Sequence, residues 1–172
     1  MKLRPATPAD AAAIAGLWNP IIRDTAITFN PVEKSAADIA ALLVEKDAQD
    51  QPFLLAEKDG ALLGFATYGQ FRNGLGYRFS VEHTIILASA ARGQGVGAQL
   101  MQAIEDHARQ RGIHSIYAGV SSANPGAVRF HEKMGYQTLA VLPEVGFKFD
   151  RWLDLTLMQK SLSPADSDPA TD

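Results

Sequence analysis

Three glycines at every second position, Gly93, Gly95 and Gly97, stand in the run Arg92-Gly93-Gln94-Gly95-Val96-Gly97, between a stretch of strand character and a stretch of helix character. A glycine turn feeding a helix gathers backbone N–H groups and the positive end of the helix dipole at one point, which suits an anion such as a pyrophosphate. Glycine also lets a ligand approach the backbone closely. Three anion-binding designs compete with a plainer one, a helix entry with close packing. A Walker loop fails because no Gly-Lys-Ser/Thr follows. A dinucleotide fingerprint is met in outline by Gly93, Gly95 and Ala98, but it also wants a carboxylate about 20 residues on, at the end of the next strand. The stretch Ile113-His114-Ser115-Ile116-Tyr117-Ala118-Gly119 holds no carboxylate, so the dinucleotide reading is set aside. The third design depends on residues further along the chain.

The pattern around the loop orders the elements. Lys2 to Ala6 reads as a short strand. Thr7, Pro8 and Asp10 supply an N-cap, a first-turn proline and a capping-box acid, so a helix starts at Pro8. Its apolar positions Ala11, Ile14, Ala15, Leu17 and Trp18 hold helical spacing until Asn19-Pro20, where a break or kink is expected because proline clashes with the preceding turn. Ser35 and Asp38 repeat the capping box and open a second helix running to about Ala48. Arg23 to Lys34 is then a loop. From Pro52 the period changes: Phe53 to Glu57, the turn Lys58-Asp59-Gly60, and Ala61 to Phe71 form a hairpin, and Arg78 to Ala88 is the next strand. A helix over Ala98 to Arg111, a strand over Ile113 to Val120, a short helix capped by Asn124 and Pro125 and ending at Gly135, and strands Tyr136 to Leu142 and Arg151 to Gln159 complete the order. An antiparallel meander followed by one helical crossover predicts an α/β fold with a mixed, mostly antiparallel sheet. One domain over residues 1–162 is expected, with a disordered tail over 163–172.

Composition narrows the chemistry. The 172 residues include no cysteine, which excludes a thiolate nucleophile, a cysteine-bound acyl intermediate and sulfur-ligated zinc. No metal site is expected. A net charge of −3 with dispersed basic residues gives no footprint for nucleic acid. No apolar run reaches the roughly 20 residues of a membrane helix, and MKLRPATPAD lacks the apolar core of a secretory signal, so a cytoplasmic protein is expected.

Arg92, Gly95 and Gly97 resemble the R/Q-x-x-G-x-G/A acetyl-CoA loop of the GNAT superfamily of N-acetyltransferases. The segment Asn124-Pro125-Gly126-Ala127-Val128-Arg129-Phe130-His131-Glu132-Lys133-Met134-Gly135-Tyr136 resembles that family's Asn-x-x-Ala helix followed by an aromatic and Gly-Tyr. Val81-Glu82-His83-Thr84, Arg129-Phe130-His131-Glu132 and the segment Val145 to Asp154 are further similar to phosphinothricin and methionine sulfoximine N-acetyltransferases. The resemblance implies a GNAT fold of about six to seven strands and four helices, acetyl-CoA as co-substrate, a small amine or amino acid as acceptor, and a homodimer to which Lys148 and Trp152 contribute. It implies that Ile85, Ile86 and Leu87 meet the pantetheine, that Gly93, Gln94, Gly95, Val96, Gly97 and Ala98 with Arg92 hold the pyrophosphate, and that Asn124 meets the thiol end. Ala127 departs from the serine of some members, which removes a side-chain hydrogen bond there.

Acetyl transfer needs a neutral amine, whereas an α-amino group is largely protonated at neutral pH, so a base is required. Strand alternation puts Ser80, Glu82 and Thr84 on one face and Val81, His83, Ile85 and Leu87 on the other. Glu82 is therefore the candidate base, acting directly or through water, and His83 is assigned to the core. His131 stands where the family often carries tyrosine and is read as a general acid or as a base working with Glu82. A carboxylate on the acceptor calls for arginine, and Arg72 and Arg78 flank Glu82 in sequence. Phe29 and Thr84 are expected to line the acceptor pocket, with Tyr77 or Tyr68 as further wall and packing favoured for Tyr68. His107 and His114 read as exposed. Two rivals stay open: a GNAT enzyme for a polyamine, aminoglycoside or protein N-terminus, and a non-catalytic acyl-CoA-binding module.

Overall fold

A computed structural model describes residues 1–162; the tail expected to be disordered lies outside the described residues. The elements are β1 (Lys2–Pro5), α1 (Ala11–Asp24), α2 (Ala36–Ala48), β2 (Phe53–Lys58), β3 (Ala61–Gln70), β4 (Ser80–Leu87), α3 (Val96–Gln110), β5 (Ser115–Ser121), α4 (Pro125–Lys133), β6 (Gln137–Lys148) and β7 (Arg151–Ser161). The strands form one sheet in the order β1-β2-β3-β4-β5-β7-β6. Every neighbouring pair is antiparallel except β4 with β5, which the α3 crossover makes parallel. Helices cover both faces. Ile14, Ile39 and Leu43 of α1 and α2 pack on Leu55 and Phe65 from one side. Leu100, Met101 and Ile104 of α3 pack on Val81, Ile116 and Met158 from the other.

Local signals hold where the chain closes short contacts. Ser35 Oγ accepts from the Asp38 N–H at 3.1 Å and the Asp38 carboxylate accepts from the Ser35 N–H at 2.8 Å, so the second capping box starts α2 as expected. The first capping box opens a 3₁₀ turn, Pro8–Asp10, that leads straight into α1. The break expected at Pro20 does not occur; α1 runs through it to Asp24. Proline in a helix costs about 3 kcal/mol. Ile14 and Ile22, 0% and 1% exposed on either side of it, are each worth about 1.5–3 kcal/mol of burial, which offsets that cost. The connecting loop is shorter by the two residues that join α1. Nor is His107 exposed: its ring Nδ1 lies 2.7 Å from the Tyr68 hydroxyl, and Tyr68 is a core residue, as expected. No helix among the described residues is long and apolar enough to cross a membrane, and no cluster of His, Asp or Glu among them could hold a metal.

Candidate active site

A cleft opens where the β4–β5 ladder stops. The two strands pair only at Ser80 with Ser115, Val81 with Ile116 and Glu82 with Tyr117. From His83 onward β4 keeps β3 on one edge and leaves the other bare. The Phe71 N–H donates to the Ser80 carbonyl at 2.9 Å and the Ala88 N–H to the Leu63 carbonyl at 2.8 Å, so the backbone groups of even-numbered positions face β3. The N–H groups of Ile85 and Leu87 therefore point to the open edge. A groove of about 380 Å³ runs from there past Asn124, Ala127 and Phe130 to Arg92 and Gly93. Asn124 occupies the N-cap position of α4, yet its side chain caps no helix N–H and is available to a ligand.

The glycine loop closes the far end of this groove. Gly93 and Gly95 both have φ of 75°, left-handed backbone that glycine adopts without strain, and Gly95 is the N-cap of α3. The N–H groups of Val96, Gly97 and Ala98 then open the helix without intrahelical acceptors, the arrangement that binds phosphates. Gly97 serves a different purpose: a Cβ there would lie 3.1 Å from Leu87 Cδ1 and 3.3 Å from Phe130 Cε2. The Val96 side chain is in the core and the Gln94 amide donates to the Ala90 carbonyl at 2.5 Å, so both offer the groove backbone only.

A second chamber, about 270 Å³, adjoins the groove at Ile85, Asn124, Ala127 and His131 and reaches Glu82 and Thr84 under a roof of Trp18, Ile27, Thr28 and Phe29. Room for the Glu82 carboxylate comes from Gly119 on β5, where a Cβ would stand 2.9 Å from Glu82 Oε1. Sequence reasoning missed Gly119, although a lone glycine inside a strand pattern is a known signal of close approach. Glu82 reaches water through the cleft mouth, but the surrounding walls desolvate it and push its carboxyl above the ordinary value, against the pull of the Arg72 charge. Arg72 is held over the Phe71 ring, 5.2 Å to the centroid, and Phe71 stacks on Tyr117 at 4.3 Å. Arg78 goes elsewhere. It lies over Phe79 at 4.4 Å, donates to the Leu75 carbonyl at 3.2 Å, and lines a separate polar cavity with Lys46 and Gln70.

His131 lines the same chamber as Glu82 but bonds to other groups. Its Nδ1 lies 2.7 Å from the Ala127 carbonyl and its Nε2 3.1 Å from Nε2 of His83, with the two rings stacked. The carbonyl can only accept, so the His131 proton is on Nδ1, and His131 Nε2 accepts from His83 Nε2–H. Burial lowers the pKa of both, that of His83 to about 3, and keeps the pair neutral. His83 Nδ1 is left buried without a partner. His83 is therefore a core residue, as alternation indicated, and both nitrogens of His131 are committed.

Residues 18–136 match the acetyltransferase (GNAT) family. The chain belongs to that family. It is 36% identical over 169 residues, 98% of each chain, to the L-methionine sulfoximine/L-methionine sulfone acetyltransferase of Pseudomonas paraeruginosa. An acetyltransferase from Salmonella typhimurium, solved with its cofactor acetyl-CoA, superposes with a TM-score of 0.92 at 34% identity over 99% of both chains. A phosphinothricin acetyltransferase from Sinorhizobium meliloti, in complex with acetyl-CoA, gives 0.92 at 29% identity, covering 98% of this chain and 92% of that one. Seven strands and four helices among the described residues agree with the GNAT fold expected from the sequence.

Proposed function

We propose that this GNAT enzyme transfers the acetyl group of acetyl-CoA to the α-amino group of a small amino-acid analogue of the methionine sulfoximine, methionine sulfone or phosphinothricin type. The observation that carries this reading is the junction of the two cavities: the groove of open backbone N–H groups meets, at Ile85 and Asn124, a chamber lined by one desolvated carboxylate. Acetyl-CoA supplies the activated acetyl group. The first-turn N–H groups of α3 bind its pyrophosphate, the Ile85 and Leu87 N–H groups hold the pantetheine arm and polarise the thioester carbonyl, and Asn124 meets the thiol end. Glu82 takes the proton from the ammonium form of the acceptor, a task its raised pKa suits. Arg72 pairs with the acceptor's carboxylate or phosphinate at the chamber mouth. His131, locked to His83 and Ala127, shapes the wall where the two cavities meet.

No cysteine exists to carry an acetyl group, which favours direct transfer within a ternary complex. Arg72 beside the chamber disfavours polyamines and aminoglycosides by charge. Homologue names support the amino-acid analogue class over the other readings. We further propose a cytoplasmic homodimer formed through β6, an edge strand that exposes Leu139, Val141, Val145 and Phe147, with Phe149 and Trp152 beyond its end. The test is thiol release from acetyl-CoA across methionine sulfoximine, methionine sulfone, phosphinothricin, polyamines and common amino acids. The expected result is turnover with the first three and none with polyamines; preference for a polyamine would overturn the reading.

A further inference from the structure

Lys148 ends β6 as a buried residue, 4% exposed, and no carboxylate among the described residues lies within ion-pair distance of its ammonium. Four backbone carbonyls surround it instead: Ile22 at 2.5 Å, Thr25 at 2.7 Å, Thr28 at 2.9 Å and Asn30 at 3.3 Å. Ile22 is in the last turn of α1, where carbonyls lack helical partners and the dipole favours a cation. The other three belong to the segment that follows, whose Ile27, Thr28 and Phe29 roof the Glu82 chamber. Carbonyl oxygens converging on one point repel each other and are costly to bury unpaired, so this curl of chain needs a cation at its centre.

Two further contacts fasten the same segment. Phe29 lies against the backbone of Gly146, where a Cβ would meet the ring at 2.3 Å. Gly146 and Lys148 are two residues apart on one face of β6 and receive the loop together. At the far end, the Asn19 amide donates to the Lys34 carbonyl at 2.9 Å and accepts from the Lys34 N–H at 2.9 Å. A buried ammonium has three N–H donors to satisfy, and here the acceptors come from the turns that place Thr28 and Phe29.

We propose that Lys148 is a positioning residue for the acceptor, its caged ammonium holding the roof of the chamber over Glu82. The proposal rests on the reading of that chamber as the acceptor site. The cofactor groove takes its polar donors from β4 and α3, which Lys148 does not touch, and of the caged segment only Ile27 also lines it, so the acceptor responds more than acetyl-CoA does. In Lys148→Met the KM for the amino-acid acceptor rises about 10–100-fold while the KM for acetyl-CoA stays within about twofold. Amide exchange over residues 25–30 accelerates in the same variant, measured without any acceptor. In Lys148→Ala, which empties the cage, methylammonium or potassium chloride recovers part of the acceptor KM and choline chloride does not. An unchanged acceptor KM overturns the proposal, as does unchanged exchange over 25–30, a parallel rise of both KM values, or equal response to all three salts. Should Lys148→Met fail to fold, Lys148→Gln keeps two donors and carries the same comparison. If the wild-type enzyme acetylates none of the amino-acid analogues, the functional reading fails, and the exchange measurement still judges the cage.

Discussion

Gly119→Ala separates activity from stability in a way that few single substitutions here can. The new Cβ would sit 2.9 Å from Glu82 Oε1, against 3.4–4 Å for an ordinary contact. The carboxylate must therefore retreat by roughly 0.5 Å or more, and its side chain is flexible enough to do so cheaply. The same Cβ meets Leu155 Cδ1 and Cδ2 at 3.4 and 3.6 Å, which is ordinary packing. Gly119 lies within β5 without a positive φ, so alanine is tolerated by the backbone and should add about 0.5–1 kcal/mol of stability by the usual glycine-to-alanine difference. Misplacing a catalytic group by about 1 Å costs about 100-fold in rate, so the expected fall in kcat is about 10–100-fold, or about 1.4–2.7 kcal/mol in the barrier. The assay is steady-state thiol release at saturating acetyl-CoA, beside thermal melting. Combined with Glu82→Gln, the alanine should cost almost nothing further, because both changes act through one carboxylate. A wild-type kcat, or the same loss in both backgrounds, would refute the assignment of Gly119 as the space-giver for the base.

Glu82→Gln alone should lower kcat by about 10²–10⁴-fold while calorimetric binding of acetyl-CoA is nearly kept. Because the folded pKa of Glu82 is raised, the native state binds its proton more tightly than the unfolded chain, and that contribution to stability is lost as pH rises from the ordinary carboxylate value through the raised one. Glu82→Gln should accordingly be more stable than wild type in urea at neutral pH, with the difference gone below the ordinary carboxylate pKa. The acid limb of kcat/KM should lie above the ordinary carboxylate value, and Arg72→Met, removing the charge that holds it down, should move it further up and raise the acceptor KM; a limb that stays put would show that Arg72 does not act on Glu82. Phe147 and Trp152, 51% and 59% exposed with their rings 5.0 Å apart, should carry the proposed self-association, so wild type should sediment as a dimer and Phe147→Glu with Trp152→Glu as a monomer.

The readable parts of the fold are those whose causes lie within a few residues. Ser35 and Asp38 cap α2, and the Lys58-Asp59-Gly60 turn returns β3 on β2, because each closes by local hydrogen bonding and backbone preference. Pro20 misled because its local penalty is outweighed by burial of Ile14 and Ile22, which depends on tertiary packing, that of Ile14 on the sheet beneath it. Arg72 and Arg78 look equivalent as neighbours of Glu82 in sequence, but the 3₁₀ turn Leu75–Tyr77 sends Arg78 to another cavity. His131 looked like a partner for Glu82 by motif position; Glu82 and His83 leave β4 on opposite faces, and only the packing of α4 shows that His131 bonds to His83. Lys148 is the extreme case, since its carbonyl partners lie 118 to 126 residues away in sequence.

One topological fact generates both halves of the site. The single parallel pair in an otherwise antiparallel sheet separates after Glu82 and Tyr117, and the separation exposes the Ile85 and Leu87 N–H groups and admits the Glu82 chamber at once. The two halves are made of different material. In the proposed reading acetyl-CoA is met chiefly by backbone N–H groups of β4 and the α3 N-terminus, whose geometry is preserved under most side-chain substitutions. The proposed acceptor site is instead built from side chains, Arg72, Thr28 and Phe29, outside the regular strands, the last two on a segment fastened by Asn19 and Lys148. Substitution in those segments changes which amine fits and leaves the acetyl donor in place. A change of acceptor class in this fold should therefore be reached through residues 25–34 and the turn after β3, and exchange of those two segments between enzymes of different acceptor preference should move specificity while the KM for acetyl-CoA holds.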